Sequence, residues 1–318
     1  MRRCSRRVLT PRAERRAPPP GGGTDAAGLR PGLAGAPREG YREERWLGPR
    51  SSGSPTRSTP GGVACRSARP ATTATPWSWR ARLGQRQFGH PVAWGPGGQR
   101  GYIPADKWRE PLDWDRLAAK RGLRERVFCG SMMDVFEGLR EQRPHLARLF
   151  ELIGQTPHLD WLLLTKRPNN ISKLAPSVLP DNVWLGTTAE SQDWADQRLP
   201  HLLAHDCAIR FVSVEPMLGP LDLRGVLGAG PGRVNWVIFG GESGARARGP
   251  DGAIGWYRTL RDQCVEAGVP IFHKQLGAFR QAGDRLVKLK PREPRPERGA
   301  PALLDGIAMQ QVPVVPGR

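Results

Sequence analysis

The chain has 318 residues, enough for one large domain or two ordinary ones, and a formal net charge of +19. The charge on its face points to nucleic acid, but its location argues otherwise: residues 1–82 hold 17 Lys+Arg against 5 Asp+Glu, a balance of +12, and residues 83–318 hold 32 against 25, a balance of +7. Residues 274–298 alone contribute 8 against 3, so the body between is near neutral and bulk charge says little about its partner.

The five cysteines, Cys4, Cys65, Cys129, Cys207 and Cys264, form no CxxC pair and no metal-ligand spacing. In so long a chain they read as reduced, buried thiols of a cytoplasmic protein. No run is long or apolar enough to span a membrane, and the Arg-rich start lacks the apolar core of a signal peptide.

Residues 1–82 are dominated by Arg, Pro, Gly, Ala, Ser and Thr, with no apolar periodicity, and by composition are disordered. A basic nucleic-acid-binding arm and a GC-rich reading frame translated out of register both fit that composition. The character changes at Leu83. Residues 94–98 form a Gly/Pro loop, and a short helix is predicted over 115–121. A helix starting near Val135, with Asp134 as its cap, is expected to be broken by Pro144. Further helices are predicted over 169–174, after Ser191 (apolar face Trp194, Leu199, Leu202, Leu203) and over 254–267 (with Val265 on the apolar side), the last stopped by Gly268. Beyond Phe279 the chain is a basic, Pro-rich tail with a small turn at 303–306. The domains so read are 1–82, 83–279 and 280–318.

Between these helices one unit recurs: an apolar run of strand length that ends abruptly in polar residues. Residues 126–130 end in Ser131 and Asp134; 160–164 in Thr165, Lys166 and Arg167; 182–186 in Thr187, Thr188 and Glu190; 209–212 in Ser213 and Glu215; 235–239 in Gly240, Gly241, Glu242 and Ser243; 270–272 in His273, Lys274 and Gln275. Near-continuous apolar strands alternating with helices imply a parallel sheet, and six such units imply an α/β partial (βα) barrel. Ligands of such folds sit at the carboxyl ends of the strands, so these polar residues are expected to share one mouth.

Three successive strands end in Glu190, Glu215 and Glu242. In one mouth such carboxylates suit general acid–base work, as in glycosidases, or the binding of a cation or amine; they equally suit helix caps or ion pairs with Arg167, Arg210 or Lys274. Gly240 and Gly241 permit close backbone approach to a ligand, and Lys166 with Arg167 suits an anionic group. A lone histidine such as His273 is more often structural. No Ser/His/Asp order, phosphate loop or HExxH is present.

From about 83 to 313 the chain resembles a phage- and prophage-associated family of unknown substrate that is described as radical-SAM-like, with a partial (βα) barrel. The segments that carry the resemblance are RVFCGSMMDVF at 126–136, LTKRP at 164–168, NVWLG at 182–186, RFVSVEPMLGP at 210–220, GGESG at 240–244 and HKQLG at 273–277. The resemblance implies a [4Fe–4S] cluster held by three cysteine thiolates, with S-adenosylmethionine on the fourth iron. By the same resemblance Ser131, Asp134, Thr165, Lys166, Arg167, Glu190, Glu215, Gly240, Gly241, Glu242, Ser243, Lys274 and Gln275 form the cofactor- or substrate-binding mouth. Their individual roles are left open. In such barrels strand-end Gly and Glu groups meet the cofactor's amine, and Lys or Arg the substrate. Nucleic acid is the substrate that a phage context suggests, and a phage-encoded partner protein is a further expectation.

The chain departs from this family where its cysteines should be. A pattern close to WGCxxxSPxCxxCYA is expected ahead of the first matching strand and is absent. Regrouping the bases of codons 56–79, by joining the third base of each to the first two of the next, permits TFNPWWGCMQVSPACDHCYAMEL, with cysteine codons across Val63/Ala64, Pro70/Ala71 and Thr73/Ala74. Residues 1–82 are therefore read as a frame-shifted segment, and Cys65 is not assigned as a ligand. No metal ligand is assigned in the chain as written. Without the thiolates it binds no cluster and is inactive in the radical step, with its first barrel strand missing. The alternatives are a cluster-independent barrel hydrolase using two of the three glutamates, and a nucleic-acid-binding protein using its basic ends.

Overall fold

A computed structural model of the chain describes residues 105–129, 133–244, 246–290, 293 and 300–315. The segment read as disordered and frame-shifted, the 94–98 loop and Ser131 lie outside the described residues.

The elements in order are α1 (Glu110–Arg121), β1 (Glu125–Cys129), α2 (Arg143–Gly154), β2 (Leu159–Thr165), α3 (Ile171–Leu174), β3 (Val183–Thr188), α4 (Gln192–Leu203), β4 (Ile209–Val214), β5 (Trp236–Gly240), α5 (Ala253–Glu266) and β6 (Ile271–Gln275). The six strands form one parallel sheet in the order β1-β2-β3-β4-β5-β6, each beside its successor in the chain. The sheet is curled into a half-barrel. An α/β half-barrel of parallel strands is thus what the recurring strand–helix unit builds.

Every residue of β2, β3, β4 and β5 is buried, which is why these strands read as unbroken apolar runs rather than as alternating ones. The strand period of two sorts their side chains into two cores. Val127, Trp161, Leu163, Leu185, Val212, Val237 and Phe239 pack with residues of α1, α2, α4 and α5. Phe128, Leu162, Trp184, Phe211, Trp236 and Phe272 form a second cluster on the inner face. Its rings are tilted or edge-on, with Trp184 and Trp236 centroids 5.8 Å apart at 87°. Gly186 makes room for this layer, because a Cβ there would stand inside the Phe211 ring.

Several local expectations are corrected. No helix starts at Val135. Residues 135–136 form a turn, Gly138 takes φ +87°, and α2 begins only at Arg143. Pro144 sits in the first turn of α2, where its missing N–H costs nothing, and so opens the helix instead of breaking it. Trp194 and Val265, assigned to apolar faces, are exposed; Trp194 carries the Arg198 guanidinium 4.0 Å above its ring. Ser191 is the N-cap residue of α4, but its side chain makes no capping hydrogen bond.

After β6, the stretch read as a tail carries two hairpins, β7 (Phe279–Ala282) with β8 (Arg285–Lys288), and β9 (Leu303–Leu304) with β10 (Ile307–Ala308). Arg258 of α5 ties them down by donating to Asp305 (2.8 and 2.7 Å) and Asp284 (2.5 Å). Residues 309–311 then run antiparallel to β6 along its outer edge. His273 N–H donates to Met309 O, Gln311 N–H to Ile271 O, and the Trp236 indole to Gln311 O at 2.9 Å. Val312 and Val315 pack on the inner aromatic layer.

Candidate functional site

Each strand delivers its last polar side chain to the same end of the sheet, but the strand period decides which of them face inward. Lys166, Thr188, Ser213, Glu215, Gly240 and Lys274 continue the inner-face register of Leu164, Trp184, Phe211, Ile238 and Phe272. Thr165 and His273 have the opposite parity and turn toward the helices. Thr165 is fully buried; its hydroxyl donates to Asp134 Oδ1 (2.5 Å) and accepts the Arg167 N–H (2.9 Å), so it fastens the mouth without lining it.

At the β1–β2 end, Asp134 is spent on its surroundings. Oδ1 accepts the Phe136 N–H at 3.0 Å, and Oδ2 accepts the Lys166 N–H at 3.1 Å and Arg167 Nη1 at 2.8 Å. The residue expected to cap a helix instead fixes the β2 end against the turn at 135–136. At β2–β3, Glu190 lies between two cations. Lys166 Nζ donates to Oε1 and also to Thr188 Oγ1 (3.2 Å), and Arg198 Nη1 donates to Oε2 at 2.8 Å. Burial alone would raise the Glu190 carboxyl, but the Lys166 hydrogen bond and the charges of Lys166 and Arg198 outweigh it and hold the group below its ordinary value.

Across β4, β5 and β6, Glu215 Oε2 accepts Ser213 Oγ at 3.2 Å and Lys274 Nζ at 3.1 Å. Glu215 Oε1 is buried and has no hydrogen-bond partner. It rests against Gly240, where a Cβ would come within 2.9 Å of it. Gly240 is thus glycine because the carboxylate and the Gln275 carbonyl occupy the side-chain space. Gly241 N–H donates to Gln275 O at 2.8 Å, with Leu276 carbonyl packed where a side chain would go. Lys274 Nζ also stands 5.6 Å from the Phe128 ring centroid, so the first and last strands approach each other across the inner face.

Beyond β5, Glu242 accepts the Arg248 N–H (2.8 Å), Nε (2.8 Å) and Nη2 (3.0 Å). That clamp holds the Glu242 carboxyl below its usual range. Ser243 and the Gln275 side chain are exposed at the edge of this group. His273 is fully buried, stacked on Phe239 (4.5 Å, 8°), and neither ring nitrogen has a partner; burial pushes it down to about 4, so it sits neutral in the core.

The geometry therefore joins Lys166 to Glu190, Arg167 to Asp134, and Lys274 to Glu215. Two partners were not anticipated. Arg198 lies on α4 among Ala195, Leu199 and Leu202, and an arginine inside an apolar helix face is a signal that could have been read. Arg248 lies in a loop with no periodicity, and nothing in the sequence marks it. Among the described residues no three His, Cys, Asp or Glu side chains gather as a metal site. Cys129, Cys207 and Cys264 lie apart on β1, before β4 and on α5. Burial raises the Cys207 thiol and pushes Cys264 up to about 12. They do not fit an iron–sulfur cluster.

Residues 59–313 match the model of a family described as protein of unknown function (DUF5131), and the chain belongs to that family. No curated protein and no solved structure matches.

Proposed function

We propose that this chain is the barrel body of a radical-SAM-like, phage-associated protein, whose strand-end mouth takes the amine-bearing end of S-adenosylmethionine, and that as written it is inactive in the radical step. The observation that carries the reading is Glu215 Oε1, a buried carboxylate oxygen without a donor at the carboxyl end of a parallel half-barrel. Leaving such an atom unsatisfied is costly, and an ammonium group placed against it would remove the cost. Gly240 keeps the approach short, and Lys274 orients the carboxylate from its other oxygen. The cluster would supply the electron that cleaves the cofactor. The described residues hold no ligand set for it, and the pattern that would do so is absent from the written frame.

The hydrolase reading is less well supported. Glu190 and Glu242 are both held below their ordinary values by cations, so neither retains a proton to give to a leaving group near neutral pH.

Three experiments test the proposal. Sequencing the source DNA across codons 55–92 should reveal one gained or lost base. The corrected chain, reconstituted anaerobically with iron and sulfide, should turn brown and hold iron. A colourless, iron-free corrected protein sinks the radical reading. Calorimetric titration of S-adenosylmethionine into the same corrected protein should show binding that Glu215→Gln weakens at least tenfold; equal binding by the variant removes Glu215 from the site.

A further inference from the structure

The mouth is layered by charge. Lys166, Arg167, Arg248 and Lys274 are 36–59 % exposed, whereas the carboxylates they hold, Glu190, Asp134, Glu242 and Glu215, are 12–27 % exposed. The acids lie beneath and the bases lie above. The hydrogen-bonding capacity is divided the same way. Both oxygens of Asp134, Glu190 and Glu242 are occupied, and the one idle carboxylate oxygen, Glu215 Oε1, is buried. The cations keep donors in reserve. Lys274 spends one of its three N–H bonds within the protein and Lys166 two of three. Arg167 donates to Asp134 through Nη1 alone, with Nη2 held only loosely, 3.7 Å from Glu137 Oε1, and Arg248 leaves Nη1 unused.

A rim with spare cationic donors, over carboxylates that leave no exposed oxygen idle, selects anionic ligands rich in acceptors. Because the buried carboxylates already hold the side chains in place, a ligand meets donors whose positions are fixed beforehand. Two of the four are arginines, whose planar fork matches phosphate oxygens. We infer that the rim of this mouth binds phosphate oxyanions, either free polyphosphate or the phosphodiester backbone of a single nucleic-acid strand. The inference shares the strand-end mouth with the reading above but does not depend on the cofactor.

The test uses the full chain, without cofactor, and a fluorescent single-stranded oligonucleotide whose affinity is followed against salt. The basic N-terminal segment contributes equally to every variant, so differences report the rim. In Arg248→Gln/Lys274→Gln the affinity should fall several-fold and the salt slope should shrink by about 1.4, two contacts at about 0.7 each. Arg248→Lys/Lys274→Arg, which keeps the charges, should recover most of the binding. Tripolyphosphate that displaces the strand identifies the phosphate group as what is read; a strand that resists it identifies the polymer. Unchanged affinity and slope in the glutamine variant overturn the inference. So does a charge-keeping variant that binds no better than the glutamine variant, because the loss then comes from the fold.

Discussion

Adding one methyl group to the middle of β3 should be among the most damaging small changes in this protein. In Gly186→Ala the new Cβ would stand no more than 2.5 Å from three carbons of the Phe211 ring, where carbon atoms in contact keep about 3.5–4.0 Å. Relief requires the ring to move by about an ångström or more, yet Phe211 is fully buried and abuts Phe128 and Trp236, with centroids at 6.4 and 5.9 Å. Overpacking a tight core costs about 1–3 kcal/mol, and the rigid surroundings put this case at about 3. Urea unfolding of the full chain, followed by tryptophan fluorescence, measures the loss. Phe211→Ala alone should cost about 3–5 kcal/mol through its cavity. In the double variant the added methyl group no longer meets a ring, so the combined loss should fall short of the sum by about 1–3 kcal/mol. A Gly186→Ala protein within 0.5 kcal/mol of the parent, or strictly additive losses, would refute the reasoning that the ring lies across this glycine.

Other perturbations have signs that follow from the same geometry. His273 is neutral in the fold, with its pKa pushed down to about 4 from 6.5, so the unfolded chain binds more protons between those values and stability should fall as pH drops from 6.5 to 4, by about 3 kcal/mol in all. His273→Phe should flatten that limb of a stability-against-pH curve; an unchanged limb assigns the effect to other groups. Glu190 has a lowered pKa, so its ion pairs contribute fully above pH about 4.5 and weaken as pH falls through the folded value. Glu190→Gln leaves the buried Arg198 without its counterion and should cost about 3 kcal/mol at pH 7 in chemical denaturation, with the difference narrowing in acid. Asn182 is buried and donates through Nδ2 to Ile153 O, Thr156 O and Leu159 O at 2.9–3.0 Å, joining the end of α2 to the start of β2 and β3. Asn182→Ala should cost about 2–3 kcal/mol, and Asn182→Asp more, because it sets a charge against three carbonyls. Thermal melts of the two side by side check the order.

The strands and their polar ends were legible because a parallel sheet covered on both faces demands apolar runs, and solvation ends each run abruptly. The division between mouth and support was not read from the sequence: Thr165 was assigned to the mouth, whereas the strand parity that places Glu215 and Lys274 on the face of Phe211 and Phe272 sends Thr165 and His273 the other way. Arg198 was missed although an arginine on an apolar helix face marks a buried partner, and Arg248 was missed because a glycine-rich loop does not fix where an arginine will point. The helix expected at Val135 failed because Asp134 found stronger partners across the sheet, in Thr165 and Arg167, than a local cap offers. The hairpins after β6 have strands of only two to four residues, and Arg258 on a distant helix ties them down through Asp284 and Asp305, a pairing that no local pattern encodes.

Residues 309–315 have a consequence for the order in which the molecule is made. The β6 edge and the lower part of the inner aromatic layer are closed by a segment synthesised after all six strands; Trp236 waits 75 residues for Gln311. A nascent chain carrying the whole sheet therefore still presents an unpaired edge and uncovered rings, the surfaces by which one chain adds to another. The hazardous interval in the life of this protein falls late in its translation, and slow codons or a stalled ribosome between β6 and residue 309 would lengthen it.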